Sequence, residues 1–241
     1  MDNEAKKIIG IVFAVAVIAV GALLFYGGGS NSSKLGSLPT VTPNASAGNP
    51  ALVRADSQQV KAPGAKVTIV EFADYECPYC KQMSPMVNNL LVQYKGSVSF
   101  AYRNFPLPQH QYAVLAAEAA EIAGDSGKFW QMHDLIFLNQ DAWVNSSSPQ
   151  DLFATYAEQV GLDKGQFARD LAANKDKDRV QQGFDDAVAL GVNSTPTFFV
   201  NGKVVVGGGD LKGAIDKALK DAGASTAAPA SQAPSGTKMV Q

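Results

Sequence analysis

Two cysteines separated by two residues are the side chains best suited to carry out chemistry in this sequence. They are Cys77 and Cys80, and the 241-residue chain contains no others. A small domain held together by disulfides has four or more cysteines, and a zinc site needs about four ligands. The segment Cys77-Pro78-Tyr79-Cys80 therefore predicts thiol–disulfide exchange, in which a thiolate attacks a disulfide sulfur. The alternatives are a structural disulfide, which gains little from closing so short a loop, and half of a metal site.

The segments on either side of the cysteines predict how the pair is positioned. Residues 67–72 are β-branched and almost continuously apolar, which is typical of a strand buried on both faces. An apolar pattern with helical spacing follows Pro78, and residues 98–102 predict a second, parallel strand. Cys77 would then lie at a helix N-terminus, where unpaired N–H groups and the helix dipole stabilise a thiolate. Cys80 would lie one turn later, within disulfide distance.

Glu71 is the candidate proton acceptor. It lies in mid-strand, and the alternation with Val67 and Ile69 directs its carboxyl towards the interior. A buried, unpaired carboxyl has a raised pKa, which suits proton exchange with Cys80. The alternative is an acid at a strand end that reaches solvent.

The remaining candidates are a proline and the two histidines. Thr195-Pro196 immediately precedes a predicted strand, and the sequence alone does not distinguish a cis from a trans bond there. His133 shares a helix face with Phe129 and other large apolar residues, so we predict a core residue. His110 lies in a proline-containing loop and stays unassigned.

The rest of the folded region is predicted to be helical and to end in a hairpin. Asn201-Gly202 separates two short β-branched runs and is a strong hairpin signal. Asp210 is placed to cap a last helix. Apolar periodicity predicts the intervening helices at about 112–123, 128–139, 149–160, 167–171 and 180–190.

Residues 8–26 are uncharged and mostly apolar, long enough to cross a bilayer as one helix. Lys6 and Lys7 precede this run, so we predict a single-pass anchor in the cytoplasmic membrane, with the catalytic domain outside the cytoplasm. A cleaved signal peptide is the alternative. The predicted organisation is an anchor (1–27), a flexible linker (28–51), one domain (52–223) and a disordered tail (224–241).

The charge of the chain excludes one class of partner. The net charge is -2, and no basic block occurs beyond the two lysines at the N-terminus. Nucleic-acid binding depends on a concentrated positive surface, so we expect none here.

Four stretches of sequence carry a resemblance to a known family. They are VTIVEFADYECPYC (67–80), YRNFPL (102–107), GKFWQMHD (127–134) and GVNSTPTFFVNG (191–202). From about Leu52 to Ala222 the chain resembles the DsbA-like thioredoxin-fold proteins, specifically their membrane-anchored or exported branch. The resemblance implies an α/β thioredoxin fold, with a central mixed sheet flanked by helices and a helical insertion at about 108–190.

The same resemblance implies roles for the candidate residues. Cys77 would be the exposed nucleophile and Cys80 the resolving cysteine. Independently of the resemblance, we expect no metal or other cofactor, because the two histidines of the chain are remote in sequence and a metal site would lack ligands. Glu71 would be the buried acid of the fold. Thr195-Pro196 would form a cis-proline loop against the active-site disulfide that contacts the substrate backbone. The partners would be exported proteins with thiols and a membrane-bound, quinone-linked oxidase that regenerates the disulfide.

The predicted function is oxidation of dithiols in exported proteins by a Cys77–Cys80 disulfide. One departure bears on the direction, because the best-known oxidases have Pro-His between the cysteines and this chain has Pro-Tyr. Tyr79 brings no positive charge to the thiolate, and Glu76 is adjacent to Cys77. A reductase or isomerase of the same fold is therefore one alternative. A non-catalytic binding module or metal chaperone that uses the cysteines as ligands is an alternative of a different class.

Overall fold

The computed structural model describes residues 48–224, and a mixed sheet lies at its centre. The strands are β1 (Gln58–Val60), β2 (Val67–Ala73), β3 (Val98–Asn104), β4 (Thr197–Val200) and β5 (Lys203–Val206). Their order in the sheet is β1-β3-β2-β4-β5. The pair β2 and β3 is parallel, and the other neighbouring pairs are antiparallel. The predicted thioredoxin-type mixed sheet is confirmed.

Helices connect these strands within the described part of the chain. The helix that follows the first cysteine, α1, joins β2 to β3, a run of six helices separates β3 from β4, and one helix follows β5. They are α1 (Pro78–Gln93), α2 (Ala113–Gly124), α3 (Phe129–Leu138), α4 (Gln140–Val144), α5 (Pro149–Gln159), α6 (Lys164–Ala172), α7 (Lys177–Ala189) and α8 (Leu211–Asp221). The six helices from α2 to α7 are the predicted insertion.

Successive side chains of β2 pack into two different apolar clusters, one on each face of the sheet. Both faces of the sheet are therefore buried. Val67 and Ile69 pack into the larger cluster, together with residues of α1 and the insertion. Val70 and Phe72 pack into a smaller cluster on the other face, together with residues of α7. Burial of both faces explains why the β2 sequence is almost continuously apolar. It also places Glu71 inside the protein.

Two elements were missing from the sequence prediction, and one predicted turn is confirmed in detail. Strand β1 has the sequence QQV, which has no apolar alternation, and α4 has only five residues, too few for a helical period. The hairpin between β4 and β5 turns at Asn201 and Gly202, whose φ angles are 48° and 80°. Positive φ at both positions is what a tight hairpin turn of this type requires.

The membrane predictions concern residues that lie almost entirely outside the described range. The anchor (1–27), most of the linker (28–51) and nearly all of the tail (224–241) are outside residues 48–224. Within that range no helix is long and apolar enough to cross a membrane. The anchor therefore stays a prediction.

Gly183 lies where α7 of the insertion packs closely against the backbone of β3. A Cβ atom at this position in α7 would lie 2.6 Å from the backbone oxygen of Asn104 in β3. We predict that Gly183→Ala lowers the free energy of unfolding by about 1–3 kcal/mol, because a strand backbone cannot yield as a side chain can.

The matched control is Gly165→Ala in α6. There the nearest atoms are side-chain ends of Arg169 and Asp163, both at 3.4 Å. Alanine favours a helix over glycine by up to about 1 kcal/mol, so this variant should be neutral or stabilised. Urea unfolding of both variants measures the difference, and equal midpoints would contradict close packing at Gly183.

Candidate active site

The two cysteines occupy the first turn of α1, as predicted. Cys77 is the N-cap residue and Pro78 begins the helix, where a missing N–H costs no hydrogen bond. Both cysteines are free thiols in this structure. Cys80 is 0% exposed and Cys77 is 4% exposed.

The environments of the two thiols shift their pKa values in opposite directions. The pKa of Cys77 is lowered to about 5, chiefly by a hydrogen bond from Cys80 and also by Thr195 and the backbone N–H groups of Cys80 and Tyr79, although burial opposes the shift. Burial raises the pKa of Cys80 well above its ordinary value, and the nearby Cys77 and Glu71 raise it further. The geometry thus provides one stable thiolate beside one stable thiol.

The expectation of an exposed Cys77 is wrong. The loop at Thr195-Pro196 covers it, and the Cys77 Sγ lies 3.6 Å from the carbonyl oxygen of Thr195. Because Cys80 has no exposed surface at all, Cys77 is still the more accessible of the two thiols.

The peptide bond between Thr195 and Pro196 is cis, as the resemblance implies. The loop leads directly into β4, which pairs with β2 next to the cysteines. The fold thus brings together two segments 118 residues apart in sequence. Tyr79 lies between the cysteines in the sequence and is 67% exposed. Its side chain brings no positive charge to either sulfur.

Glu71 is buried behind the cysteines, as predicted. It is 4% exposed and lies between Tyr102 of β3 and Phe198 of β4 in the sheet register. Burial raises the pKa of its carboxyl to about 8. This carboxyl can therefore carry or release a proton near neutral pH, and its charge is felt at Cys80.

Asp74 is a site residue that the sequence reasoning missed. Its buried carboxylate accepts hydrogen bonds from the backbone N–H groups of Glu76 and Leu107, both at 2.7 Å, and contacts His110 Nδ1 at 2.7 Å. Its backbone oxygen accepts from the N–H of Cys77. Asp74 thereby connects the end of β2, the first cysteine and the loop after β3.

Gln140 is the second missed residue, and it links the insertion to the cysteines. Its buried side-chain amide donates to the backbone oxygens of Tyr75 at 2.6 Å and Cys77 at 3.0 Å. No sequence signal indicates this role, because the acceptors are backbone atoms distant in sequence.

The histidines have different positions. His133 is 2% exposed among aromatic rings, which confirms the prediction of a core residue. His110, left unassigned, is held by Asp74. Within residues 48–224 no group of three or more histidine, cysteine or acidic side chains is placed to hold a metal ion.

Comparison with known families agrees with this geometry. A family model described as Thioredoxin matches residues 61–221. The chain belongs to the thioredoxin family. The resemblance stated from the four sequence stretches is thereby confirmed at the level of the family and fold.

Solved structures similar to this thioredoxin-family chain include BdbD and a thioredoxin-like oxidoreductase. Oxidised BdbD from Bacillus subtilis has a TM-score of 0.62 and 26% identity, covering 68% of this chain and 94% of that one. A thioredoxin-like oxidoreductase from Silicibacter pomeroyi has a TM-score of 0.58 and 30% identity, covering 71% and 98%. The thiol–disulfide exchange protein α-DsbA2 from Wolbachia pipientis, 19% identical with a TM-score of 0.60, covers 71% and 90% and shares the fold.

Some relatives contain a similar segment within a much longer protein. A Na(+)/H(+) antiporter, NhaA 3 from Salinispora tropica, is 47% identical over 150 residues, which is 61% of this chain and 22% of the antiporter. NhaA 1 from Salinispora arenicola is 43% identical over 150 residues, which is again 61% of this chain and 22% of the antiporter. The chain thus spans about a fifth of the length of these relatives.

The low pKa of Cys77 makes its reactivity testable by pH. We predict that alkylation of the reduced protein by iodoacetamide stays fast from pH 8 down to a midpoint near pH 5, because the thiolate persists to that pH. Cys80→Ala should move the midpoint upward, since it removes the largest stabilising contact. A wild-type midpoint near the ordinary value of 9 would contradict the described hydrogen bonds.

Proposed function

We propose that this protein is a thiol–disulfide oxidoreductase that oxidises pairs of thiols in exported proteins. The observation that carries the proposal is the pairing of a stabilised Cys77 thiolate with a buried Cys80 thiol beneath the loop at Thr195-Pro196. Two similar proteins, the thioredoxin-like oxidoreductase and the Wolbachia thiol–disulfide exchange protein, are named for the same class of activity.

In the proposed reaction the enzyme begins with a Cys77–Cys80 disulfide. A substrate thiolate attacks the Cys77 sulfur, the S–S bond breaks, and Cys80 leaves as a thiolate that takes a proton from Glu71. A second substrate thiolate then attacks the substrate sulfur of the mixed disulfide, and Cys77 leaves as a stable thiolate. The substrate loses two electrons as its disulfide forms, and the enzyme disulfide accepts them.

The stabilised thiolate also favours the oxidising direction. A reduced form that contains a low-pKa thiolate is stabilised relative to the disulfide form, which makes the disulfide a stronger oxidant. Tyr79 supplies no charge, but the hydrogen bonds from Cys80 and the α1 backbone lower the pKa of Cys77 without one. This supports an oxidase over the reductase or isomerase considered from the Pro-Tyr dipeptide.

The proposed location is the outer side of the cytoplasmic membrane, with residues 8–26 as anchor. The relatives named as Na(+)/H(+) antiporters support the membrane association in this proposal, since an ion antiporter works across a membrane. The resemblance to the DsbA-like proteins further suggests a quinone-linked membrane oxidase as the partner that regenerates the disulfide.

Trapping of mixed disulfides tests the assigned roles. We predict that Cys80→Ser accumulates covalent, reductant-sensitive adducts with exported proteins or the membrane partner, because the resolving thiol is absent. Cys77→Ser should accumulate few, since Cys80 is fully buried and its pKa is raised. Non-reducing electrophoresis from the native host measures both, and equal adduct levels would refute the roles. No adducts from either variant would favour the binding-module alternative.

Glu71→Gln tests the proton transfer. We predict oxidation of a reduced substrate protein at pH 7 to slow by about tenfold or more, with loss of the inflection near pH 8. The folded-state pKa of this acid is raised, so the unfolded chain ionises before the folded protein does, and the wild type loses stability as pH rises from about 4.5 towards 8. The variant lacks that cost and should unfold later than the wild type at pH 8, which separates slower chemistry from damage to the fold.

Glu118→Gln is the matched control. Glu118 is a second buried carboxyl, lying in α2 with Lys177 and Asp176 as its electrostatic neighbours. Its substitution should leave the exchange rate unchanged. Equal rates for wild type and Glu71→Gln across pH 6–9 would show that Glu71 takes no part.

The location can be tested by accessibility. We predict that a membrane-impermeant maleimide labels the reduced protein in intact cells, because the anchor places Cys77 outside. The double variant Cys77→Ser/Cys80→Ser has no thiol and serves as the background control. Labelling that appears only after lysis would overturn the proposed topology.

A further inference from the structure

The Asp74 carboxylate joins two tight turns at the end of the sheet where the cysteines lie. The first turn runs from Asp74 to Cys77 and is closed by the Cys77 N–H, which donates to the Asp74 backbone oxygen at 3.1 Å. The Asp74 Oδ1 accepts from the Glu76 N–H at 2.7 Å. Aspartate favours this geometry, because its side chain accepts a hydrogen bond from the residue two positions on. The last residue of the turn, Cys77, is the N-cap of α1.

The second turn, Leu107 to His110, lies in the loop between β3 and α2. The His110 N–H donates to the Leu107 oxygen at 3.0 Å, and Pro108 occupies the second position, where its fixed φ favours a turn. The turn places two donors on one oxygen, because the Leu107 N–H and the His110 Nδ1 each lie 2.7 Å from the Asp74 Oδ2. An ionised carboxylate only accepts, so Nδ1 donates whether His110 is neutral or protonated.

The Asp74 carboxylate depends on its three donors because its side chain is 0% exposed. A buried carboxylate is stable only when its oxygens are hydrogen-bonded. Two of the three donors are backbone N–H groups, and the third is the side chain of His110, which is 19% exposed. His110 therefore supplies the donor that a substitution can remove while both turns keep their sequence otherwise.

The same loop also holds the acid next to Cys77 in the sequence. The Glu76 Oε2 accepts from the Tyr112 N–H at 2.6 Å, at the N-terminus of α2. The helix dipole favours a negative charge at this position. Two acids before the first cysteine are thus bound to one loop.

The Asp74 turn acts on both cysteines. Burial raises the pKa of Cys80, and the backbone of Asp74 opposes that shift in part. The pKa of Cys77 is lowered by the Cys80 thiol and also by the N–H groups of Cys80 and Tyr79. These contacts require the Cys77 sulfur to lie over the first turn of α1, so they depend on the orientation of the Cys77 backbone.

We propose that His110 is a positioning residue for Cys77, which it orients through the Asp74 carboxylate and the turn that begins α1. The inference rests on the proposed function, in which Cys77 is the sulfur that exchanges with the substrate. Without the His110 donor, the carboxylate turns towards water and loses its bond to the Glu76 N–H. The Cys77 sulfur is then held less firmly over the N–H groups of α1. The thiolate becomes less stable, and the disulfide form becomes a weaker oxidant.

The test compares His110→Leu with His110→Asn in the full-length protein. Leucine and asparagine have nearly the same shape, but only asparagine has a donor, at about the position of the His110 Nδ1. The matched control is Gln58→Met. It removes a donor, at 2.8 Å, from another buried carboxylate, that of Glu121, and Gln58 lies in β1, which β3 separates from β2.

Two quantities are measured for each variant. They are the pH midpoint of Cys77 alkylation by iodoacetamide and, at pH 7, the equilibrium constant with which the enzyme disulfide oxidises glutathione. His110→Leu should raise the midpoint, near 5 in the wild type, by about half a unit or more and lower the equilibrium constant by about threefold or more, the factor that half a unit represents. His110→Asn should restore most of both. Gln58→Met should lower the free energy of unfolding and leave both at their wild-type values.

Three results would overturn the positioning role. A wild-type midpoint and equilibrium constant in His110→Leu would show that His110 does not act on Cys77. Equal shifts in His110→Leu and His110→Asn would show that the hydrogen bond to Asp74 is not the cause. An equal shift in Gln58→Met would show a general effect of lost stability. A wild-type enzyme that does not oxidise protein thiols would refute the proposed function instead, and a raised midpoint in His110→Leu alone would still support the positioning of Cys77.

Discussion

The site depends on holding a thiolate at the N-terminus of α1 inside a largely apolar core. Burial alone would raise the pKa of Cys77, so the donors around it must outweigh that effect, and they do, by lowering the pKa to about 5. Those donors are in place because Pro78 begins the helix, because Asp74 accepts from the N–H of Cys77, and because Gln140 holds the Cys77 carbonyl. The helical insertion is therefore part of the site, since it supplies Gln140.

The same core also buries Cys80 and Glu71. Cys80 and Glu71 both have raised pKa values because they are buried, and each keeps its proton to higher pH than it would in water. A thiol and an acid matched in this way can exchange a proton near neutral pH. The cost is that both groups are almost entirely shielded from bulk water.

The sequence allowed the cysteine pair, the buried acid, the strand–helix–strand unit and the hairpin to be predicted, because each depends on local pattern. The alternation in β2 was enough to direct Glu71 inwards. Asp74 and Gln140 escaped prediction because their partners are backbone groups brought close only by the fold. Exposure of Cys77 was predicted wrongly for a related reason, since the loop that covers it lies 118 residues further along the chain.

The most direct test of the account is the stability of the reduced protein relative to the disulfide form as a function of pH. A folded-state pKa lowered from 9 to about 5 stabilises the reduced fold fully above pH 9, and that contribution is lost as pH falls through 5. The disulfide form has no thiol to titrate. The groups that titrate alike in both forms cancel when the two free energies of unfolding are subtracted. The free energy of unfolding in urea should rise for the reduced form, relative to the disulfide form, as the pH increases from 5 to 9. A difference that stays constant across this range would contradict a stabilised thiolate at Cys77.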